Sequence, residues 1–499
     1  MNLLPLFVIV PLGTAFLLPI FSRFWKGFPG WLGNLAMAFL AGLSLWVVQY
    51  AAEPITYTVG GWAPVNNIPI GIVMVMDGLT VLMLLVVNLI GFMATLFSVN
   101  YMNHYTDKGK YFTLFLLMIA GLNGVVLAGD LFNLFVFLEI TAIASYSLVA
   151  FGVGAEELEA SFKYQVLGGT ASAFILLGIA FFYHATGTLN LADAANVIAG
   201  MSGNPVILFI GTLFLVGFAL KAALMPFHAW LPDAHPSAPA PISAMLSGVV
   251  IKVLGVYTLI RMFFNVIGID TIAPLKDILL FLGTFSMVVG GFLALGQKDF
   301  KRLLAYSSIS QIGYVIFALG IGSSLAILGA LFYLISHAVF KSLLFLNSGA
   351  VVYATDTRDL NKLGGLYQKM PITTSTAMAG SLSISGLPPM GGFWGKLVIV
   401  LAAIEAGHYI LAGIAVLVSI VTLAYYLKVQ RMVYFGVLKK TFQNVREVPW
   451  LMCVSMIVLA VLSVGLGVLL LPQLRAIFLG PAVKVVENGI DYAKVVLGG

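Results

Sequence analysis

The chain has 499 residues, of which 61% are hydrophobic and 9% are charged, and its formal net charge at pH 7 is +6. Its mean hydropathy is +1.06. A soluble chain carries about a quarter of its residues as charged side chains, so this composition excludes a soluble globular protein. The positive charge is spread over short clusters without a dense basic block, which gives no support for nucleic-acid binding.

The N-terminus, MNLLPLFVIVPLGTAFLLPIF, has no positively charged leading region and no small-residue cleavage site. We therefore predict a retained first helix instead of a removable signal. The chain contains one cysteine, Cys453, which lies in the last strongly apolar run. A single thiol excludes a disulfide within the chain, a thiolate metal cluster and a redox CxxC pair.

Hydropathy predicts fourteen membrane spans, each about 20 residues long and bounded by short polar loops. The spans are 2–20, 31–50, 76–99, 111–128, 131–152, 161–186, 205–230, 240–263, 273–295, 303–321, 325–352, 371–404, 408–434 and 450–472. The predicted fold class is therefore an all-α polytopic membrane protein. We divide it into 1–100 (spans 1–3), 111–263 (spans 4–8), 273–434 (spans 9–13) and 450–499 (span 14 and a tail).

The distribution of positive charge predicts the orientation in the bilayer. With the N-terminus outside, sixteen of the 25 Lys and Arg residues are cytoplasmic, among them Arg23, Lys26 and Lys301. Five fall outside: Arg261, Lys276, Arg475, Lys484 and Lys494. The positive-inside rule favours this arrangement, which places both termini outside the cell.

Proline interrupts two of the predicted spans. Span 7 contains Lys221 and then Pro226, in KAALMPFHAWLPDAHPSAPAP, and span 12 contains Pro388 and Pro389 in SGLPPMGGFWGK, which ends at Lys396. Proline removes a backbone donor, and irregular backbone at membrane depth is tolerated only inside protein or beside water. We therefore expect both breaks to line a polar cavity at the centre of the molecule.

The two breaks lie five spans apart, and an odd number of crossings reverses the direction of the chain. Spans 4–8 and 9–13 are therefore expected to be two inverted five-helix repeats, an arrangement typical of ion-coupled transporters. Sequence similarity between the two halves is weak, and the lysine precedes the break in span 7 but follows it in span 12. The repeat is thus inferred from topology alone.

Four lysines lie well inside apolar runs long enough to cross a bilayer, together with one acid and one histidine: Lys221, Lys252, Lys341, Lys396, Glu139 and His337. A cation at the bilayer centre costs roughly 2.5–3.5 kcal/mol on insertion scales, so such residues usually mark ion pathways. Glu139 needs a cationic partner, and Lys221 on the broken span is at comparable depth. The alternative for this pair is a static contact that locks two helices together.

The remaining membrane residues have the chemistry of a proton relay. Lys252 has no acid in its own span, and a lysine without an acidic partner in a dry site releases its proton more easily. For Lys252 and Lys396, the alternative is a side chain that only extends to the membrane interface. His337 and Lys341 are four residues apart and share a helix face, so a proton could pass between them through water. The alternative is a histidine hydrogen-bonded to a neighbouring helix.

Three polar residues follow the break in span 7, namely His228, Asp233 and His235. Their residue types could bind a metal, but the prolines among them indicate a stiff loop whose polar groups cap helices and line a water entrance. We therefore predict no metal and no cofactor, since a membrane haem needs facing pairs of histidines. No carboxylate cluster that could hold sodium appears in the spans.

Several stretches together resemble the antiporter-like subunits shared by respiratory complex I, Mrp cation/proton antiporters and membrane-bound hydrogenases. They are GDLFNLFVFLEI, KAALMPFHAWLPDAHPSAPAPISAMLSGVVIK, QKDFKRLLAYSSISQIGY, HAVFKSLLFLNSG and GLPPMGGFWGK. The chain length, the stretch VVYATDTRDLNKLGGL and a lysine on span 12 are most similar to the D subunit of Mrp antiporters or the related H subunit of hydrogenases.

This resemblance implies roles for individual residues. Glu139 matches the acid of the fifth helix, Lys221 its partner, Lys252 the central lysine, His337 the histidine of helix 11 and Lys396 the terminal lysine. It also implies a line of protonatable groups across the midplane, with water half-channels to each side.

We therefore predict a proton-translocating subunit of a multisubunit antiporter or redox-driven pump in a prokaryotic plasma membrane. Other membrane subunits are the expected partners, and sodium, if exchanged, is expected to pass through one of them. No redox or hydrolytic site is expected in this chain. Two alternatives stay open: a stand-alone secondary transporter of an organic ion, and a subunit that holds quinone or haem, which the shortage of ligand residues disfavours.

Overall fold

The computed structural model describes residues 3–22, 27–62, 71–105, 107–272 and 274–497. Arg23 and Lys26, which are predicted to be cytoplasmic, lie outside the described residues. So do the first residues of predicted spans 1 and 9 and the two ends of the predicted terminal regions, 1–2 and 498–499.

The described chain is helical apart from one hairpin. The helices of the first half are α1 Leu6–Phe21, α2 Phe28–Tyr50, α3 Gly78–His104, α4 Lys108–Leu127, α5 Leu131–Gly152, α6 Ala155–Thr186, α7 Leu191–Ala199, α8 Pro205–Lys221, α9 Leu231–Ser237 and α10 Ala240–Val266. Those of the second half are α11 Leu275–Leu295, α12 Phe300–Ile321, α13 Ser324–Thr355, α14 Pro371–Ser385, α15 Gly391–Glu405, α16 Tyr409–Tyr434, α17 Trp450–Leu470, α18 Pro472–Phe478, α19 Gly480–Glu487 and α20 Tyr492–Leu497. Strands β1 Ile55–Thr58 and β2 Val73–Met76 pair antiparallel, with Ile55 opposite Met76.

Within the described residues, eleven helices are long and apolar enough to cross a bilayer, and α1 and α8 are shorter apolar helices. The pair α14 and α15 covers predicted span 12. These elements correspond to the fourteen predicted spans, so the all-α polytopic fold class is confirmed.

Both predicted breaks are present. Helix α8 ends at Lys221, and a turn that contains Ala223 in a left-handed conformation (φ 55°) leads to α9. Helices α14 and α15 are separated by residues 386–390, where Gly386 has φ 78°. Each break therefore interrupts a span close to a buried lysine, Lys221 in the first case and Lys396 in the second.

Two helices form the centre of the bundle. The apolar window of α10 is 100% buried and that of α13 is 94% buried, whereas the windows of α16 and α17 are 33% buried. Helix α13 packs against α10, α12, α14 and α15. Because protein surrounds them, α10 and α13 can carry polar groups that the hydrocarbon of a bilayer would exclude. Lys252 lies on α10, and His337 and Lys341 lie on α13.

Close backbone contacts hold α10 in this central place. A Cβ on Gly255 would lie 2.5 Å from the Cα of Ala222, which follows Lys221 in the break of α8. A Cβ on Gly248 would lie 2.0 Å from Oγ of Ser342, the neighbour of Lys341 on α13. Only glycine permits these approaches, which bring α10 against the break on one side and α13 on the other.

Two cations that the predicted topology places on opposite sides of the membrane are buried. Arg261 is 3% exposed because α10 continues to Val266, and its guanidinium pairs with Asp77 at 2.5 Å. Lys301 is 4% exposed and donates to the carbonyl of Ala238 at 2.7 Å. Both find their partners on elements that are distant in sequence.

Candidate functional site

One side chain, Ser172, joins Glu139 to Lys221, so three helices contribute to this contact. Ser172 on α6 donates to the carboxylate of Glu139 on α5, and accepts from Nζ of Lys221 at 3.0 Å. Nζ of Lys221 lies 3.8 Å from Oε1 of Glu139. The two residues expected to pair are thus together, with a serine hydroxyl that sequence reasoning missed.

The two ends of this pair have different surroundings. The side chain of Lys221 is 4% exposed, whereas that of Glu139 is 30% exposed on the surface of the isolated chain. The same face of α5 carries the exposed apolar side chains Phe132, Val136 and Ile143. Glu139 therefore lies at the edge of the helix bundle, whereas Lys221 lies in its interior.

Lys252 lies at the centre of the bundle and is fully buried. Its Nζ donates to the carbonyl of Ser247 at 2.5 Å. Lys252 begins one of three π-helical stretches of α10, 246–250, 252–257 and 261–266. Such stretches leave the regular hydrogen-bond ladder and frequently occur at functional sites.

His337 and Lys341 lie on the same face of α13, and both are fully buried. Lys341 donates to the hydroxyl of Tyr426 on α16 at 3.2 Å. His337 stacks beside Tyr333, with 6.4 Å between the ring centroids, and neither ring nitrogen has a hydrogen-bond partner among the described residues.

Lys396 lies on α15, just after the second break, and is 5% exposed. Its Nζ donates across the break to the carbonyl of Ile384 at 2.9 Å. The ammonium lies 4.8 Å from the ring centre of Tyr314 and 6.0 Å from that of Tyr333, within the range of a cation–π contact. The amines of Lys252 and Lys396 thus bind groups inside the bundle and do not extend to its ends.

Lys252, Lys341 and Lys396 form no ion pair with any described residue. Removing an ammonium from water costs several kcal/mol when no counter-charge compensates it. Three such lysines in one bundle make an expensive static arrangement. Their burial is costly for as long as all three amines are protonated.

The polar residues after the first break have separate partners. Asp233 pairs with Lys163 at 3.0 Å and with Arg302 at 3.4 Å. His228 Nδ1 lies 3.3 Å from the carbonyl of Pro226. His235 is fully buried and stacks on Phe345, with 4.4 Å between centroids. In the part of the chain that the structure describes, no group of three or more His, Cys, Asp or Glu could hold a metal ion.

A polar cavity of about 380 Å³ opens beside this segment. Its lining includes both partners of Asp233, and Arg358, which pairs with Glu156 at 2.8 Å. The break prolines Pro226, Pro388 and Pro389 are exposed on the isolated chain. Charged side chains therefore line the cavity beside the first break. The prolines of both breaks lie on the surface of the isolated chain.

Comparison with known proteins agrees with this architecture. The model of the family "NADH:quinone oxidoreductase/Mrp antiporter, TM" matches residues 128–422, and "NADH-Ubiquinone oxidoreductase (complex I), chain 5 N-terminus" matches 62–112. The first match covers more than half of the chain and includes the six candidate relay residues, Glu139, Lys221, Lys252, His337, Lys341 and Lys396.

Three individual proteins are similar over most of their length. The N subunit of the NADH-quinone oxidoreductase of Desulforudis audaxviator is 34% identical over 98% of this chain and 97% of its own. The D subunit of the Na(+)/H(+) antiporter of Alkalihalophilus pseudofirmus is 35% identical over 82% of each chain. A chain of the Mrp complex from Dietzia sp. superposes with a TM-score of 0.90 at 27% identity, over 99% of each chain.

These matches confirm the resemblance seen in the sequence motifs. They extend over the central helices, both breaks and the buried lysines. The chain belongs to the NADH:quinone oxidoreductase/Mrp antiporter family of membrane subunits.

Proposed function

We propose that this antiporter-like subunit moves protons along its buried ionisable residues within a multisubunit membrane complex. The path is Glu139, Lys221, Lys252, His337, Lys341 and Lys396, in that order. The observation that carries the proposal is that Lys252, Lys341 and Lys396 are buried on and beside the central helices and pair with no carboxylate among the described residues. Buried ionisable residues in membrane proteins are functional by default.

The Glu139–Lys221 pair is the switch at one end of the path. While the carboxylate and the Ser172 hydroxyl contact the Lys221 amine, the protonated form of Lys221 is favoured. When Glu139 moves away, Lys221 loses that support and passes its proton on toward Lys252. The contact of Gly255 with Ala222 supports this step, because it brings the helix of Lys252 against the break that follows Lys221.

The path spans two halves of similar construction. We propose that 111–263 and 273–434 are inverted five-helix repeats, flanked by the terminal regions 1–100 and 450–499. Each repeat contains one broken span with a buried lysine, α8 with Lys221 and α15 with Lys396. Paired broken helices at a repeat interface are how many transporters build an ion site.

The segment after the first break supplies an entrance. Asp233 lines the polar cavity, and His228 and His235 lie in the same segment of the chain, so we propose that water enters here. We propose that this side is cytoplasmic and that both termini are outside, as the positive-inside rule favours. Pro226, Pro388 and Pro389 keep the breaks open by preventing a continuous helix at each site.

A sister subunit is expected to cover Glu139. A carboxylate that is 30% exposed on an otherwise apolar helix face would be costly in lipid. The relatives are named as subunits of a quinone oxidoreductase and of a Na(+)/H(+) antiporter. The energy source for this chain is therefore either a redox reaction or sodium exchange in a partner subunit.

Replacing Lys252 by alanine tests the proposal. Proton movement is followed with a pH-sensitive dye in inverted membrane vesicles that contain the assembled complex. We expect Lys252→Ala to abolish it while the complex still assembles, because the central proton acceptor is lost. The matched control is Lys484→Ala, which removes an exposed lysine on α19. Normal proton movement in assembled Lys252→Ala would overturn the proposed function.

A further inference from the structure

A cluster of hydroxyl groups contacts the Lys341 amine. Lys341 donates to the hydroxyl of Tyr426, which lies 3.0 Å from Oγ of Ser307 on α12. The hydroxyl of Tyr425 donates to the same serine at 3.0 Å. All four side chains are at most 1% exposed. Lys341 is therefore hydrogen-bonded to one end of a buried series of three hydroxyl groups, whose orientation depends on whether the amine is protonated.

Two aromatic rings contact the Lys396 amine. The Tyr314 ring is fixed from α16, since its hydroxyl donates to the carbonyl of Ala415 at 2.6 Å. The Tyr333 ring is held differently, because its hydroxyl donates to Oε1 of Gln311 on α12. The orientation of the Tyr333 ring over the ammonium thus depends on Gln311.

Gln311 connects these two environments. Its Nε2 donates to Oγ1 of Thr422 at 3.4 Å, and Thr422 lies on α16, one helical turn before Tyr425 and Tyr426. Ser307 and Gln311 are one helical turn apart on the same face of α12. Gln311 is fully buried, and its amide bonds to Thr422 on the helix of Tyr426 and to Tyr333 beside Lys396.

We propose that Gln311 is a positioning residue that couples the protonation state of Lys341 to that of Lys396. The inference rests on the proposed function, because coupling matters only if both lysines exchange protons. An amide has a donor at one end and an acceptor at the other but gives up no proton itself, so it transmits orientation instead of charge. A change at Lys341 shifts Tyr426 and Ser307, which join α16 to α12, and Gln311, which joins the same two helices one turn away, passes this shift to the Tyr333 ring.

Substitutions at position 311 test the coupling. Gln311→Met keeps the approximate volume and removes both hydrogen bonds, so we expect proton movement to fall at least tenfold in assembled complex. Gln311→Glu in its neutral acid form offers the same acceptor and a donor, so we expect it to retain at least half of the wild-type rate. Tyr333→Phe keeps the ring but removes its bond to Gln311, and should behave like Gln311→Met.

Tyr434→Phe is the control for the loss of a buried tyrosine hydroxyl. Tyr434 is on α16, fully buried, and its hydroxyl has no partner among the described residues. We expect this variant to keep the wild-type rate. Wild-type proton movement in Gln311→Met, or a loss in Gln311→Glu as large as that in Gln311→Met, would overturn the inference. If Lys252→Ala is inactive in the same assay, that result leaves the proposed function standing.

Discussion

Ser172 is the residue through which the Glu139–Lys221 switch can be tested most selectively. Its hydroxyl contacts both charged groups at once, and it carries no charge itself. Ser172→Ala removes these contacts and leaves Glu139 and Lys221 in place. The carboxylate and the amine would then interact only by direct electrostatic attraction, across the 3.8 Å that separate Nζ from Oε1.

The expected effect follows from the energies involved. Two unit charges at this distance attract each other by about 4 kcal/mol at an effective dielectric constant of about 20. Moving one charge across ~150 mV costs about 3.5 kcal/mol. The attraction within the pair and the cost of moving one proton against the membrane potential are therefore of similar size. A hydrogen bond to a charged group contributes about 1.5–3 kcal/mol, which is a tenfold or greater change in rate. We therefore expect Ser172→Ala to slow proton movement at least tenfold.

The assay compares assembled wild-type and variant complexes in inverted vesicles with a pH-sensitive dye. Ser455→Ala is the matched control, since this serine on α17 donates only to the carbonyl of Leu451 within its own helix. We expect the control to behave like the wild type. If Ser172→Ala moves protons at the wild-type rate, the hydroxyl bridge has no part in the switch, and our interpretation of this contact is refuted.

Three further predictions concern charged residues. Glu139→Gln should flatten the pH dependence of proton movement, because the amide cannot hold the Lys221 proton; an unchanged pH profile would indicate a static pair. Asp77→Ala leaves the buried Arg261 unpaired and should cost about 3–5 kcal/mol, measured as a lower unfolding temperature of the purified complex; no change would refute a structural pair. Burial raises the pKa of Asp130 from 3.8 to about 6, so its ionised form destabilises the fold as the pH rises through this window. Asp130→Asn keeps the helix cap and should raise stability by up to about 3 kcal/mol above pH 6 but not below pH 4; equal gains at both pH values would contradict this.

The sequence carries enough information for the helices and for one contact of the site. Spans are predictable because hydropathy is a local property, and the breaks because proline acts on its own helix. The Glu139–Lys221 pair was predictable because an acid in an apolar span needs a cation, and Lys221 on the broken span was at comparable depth. These inferences need no knowledge of how helices pack.

The rest of the site depends on packing between distant helices. Ser172 and Gln311 look like ordinary small or polar residues in apolar spans, and their partners lie 49 and 111 residues further along the chain. The sequence around Arg261 does not indicate a buried ion pair, because its partner Asp77 is 184 residues earlier. A tertiary structure is required to identify such residues, since no local pattern distinguishes them.

The central claim is that Lys252 acts as a proton-carrying amine at a position that water reaches. It can be tested by replacing Lys252 with cysteine in a Cys453→Ser background and treating the intact complex with an aminoethyl thiosulfonate, which rebuilds a primary amine on the thiol. Since Cys453 is the single natural cysteine, any reaction of this chain reports on position 252. We predict an inactive complex before treatment and restored proton movement after it. A complex that is fully modified yet still inactive, or one that moves protons before treatment, would contradict the account.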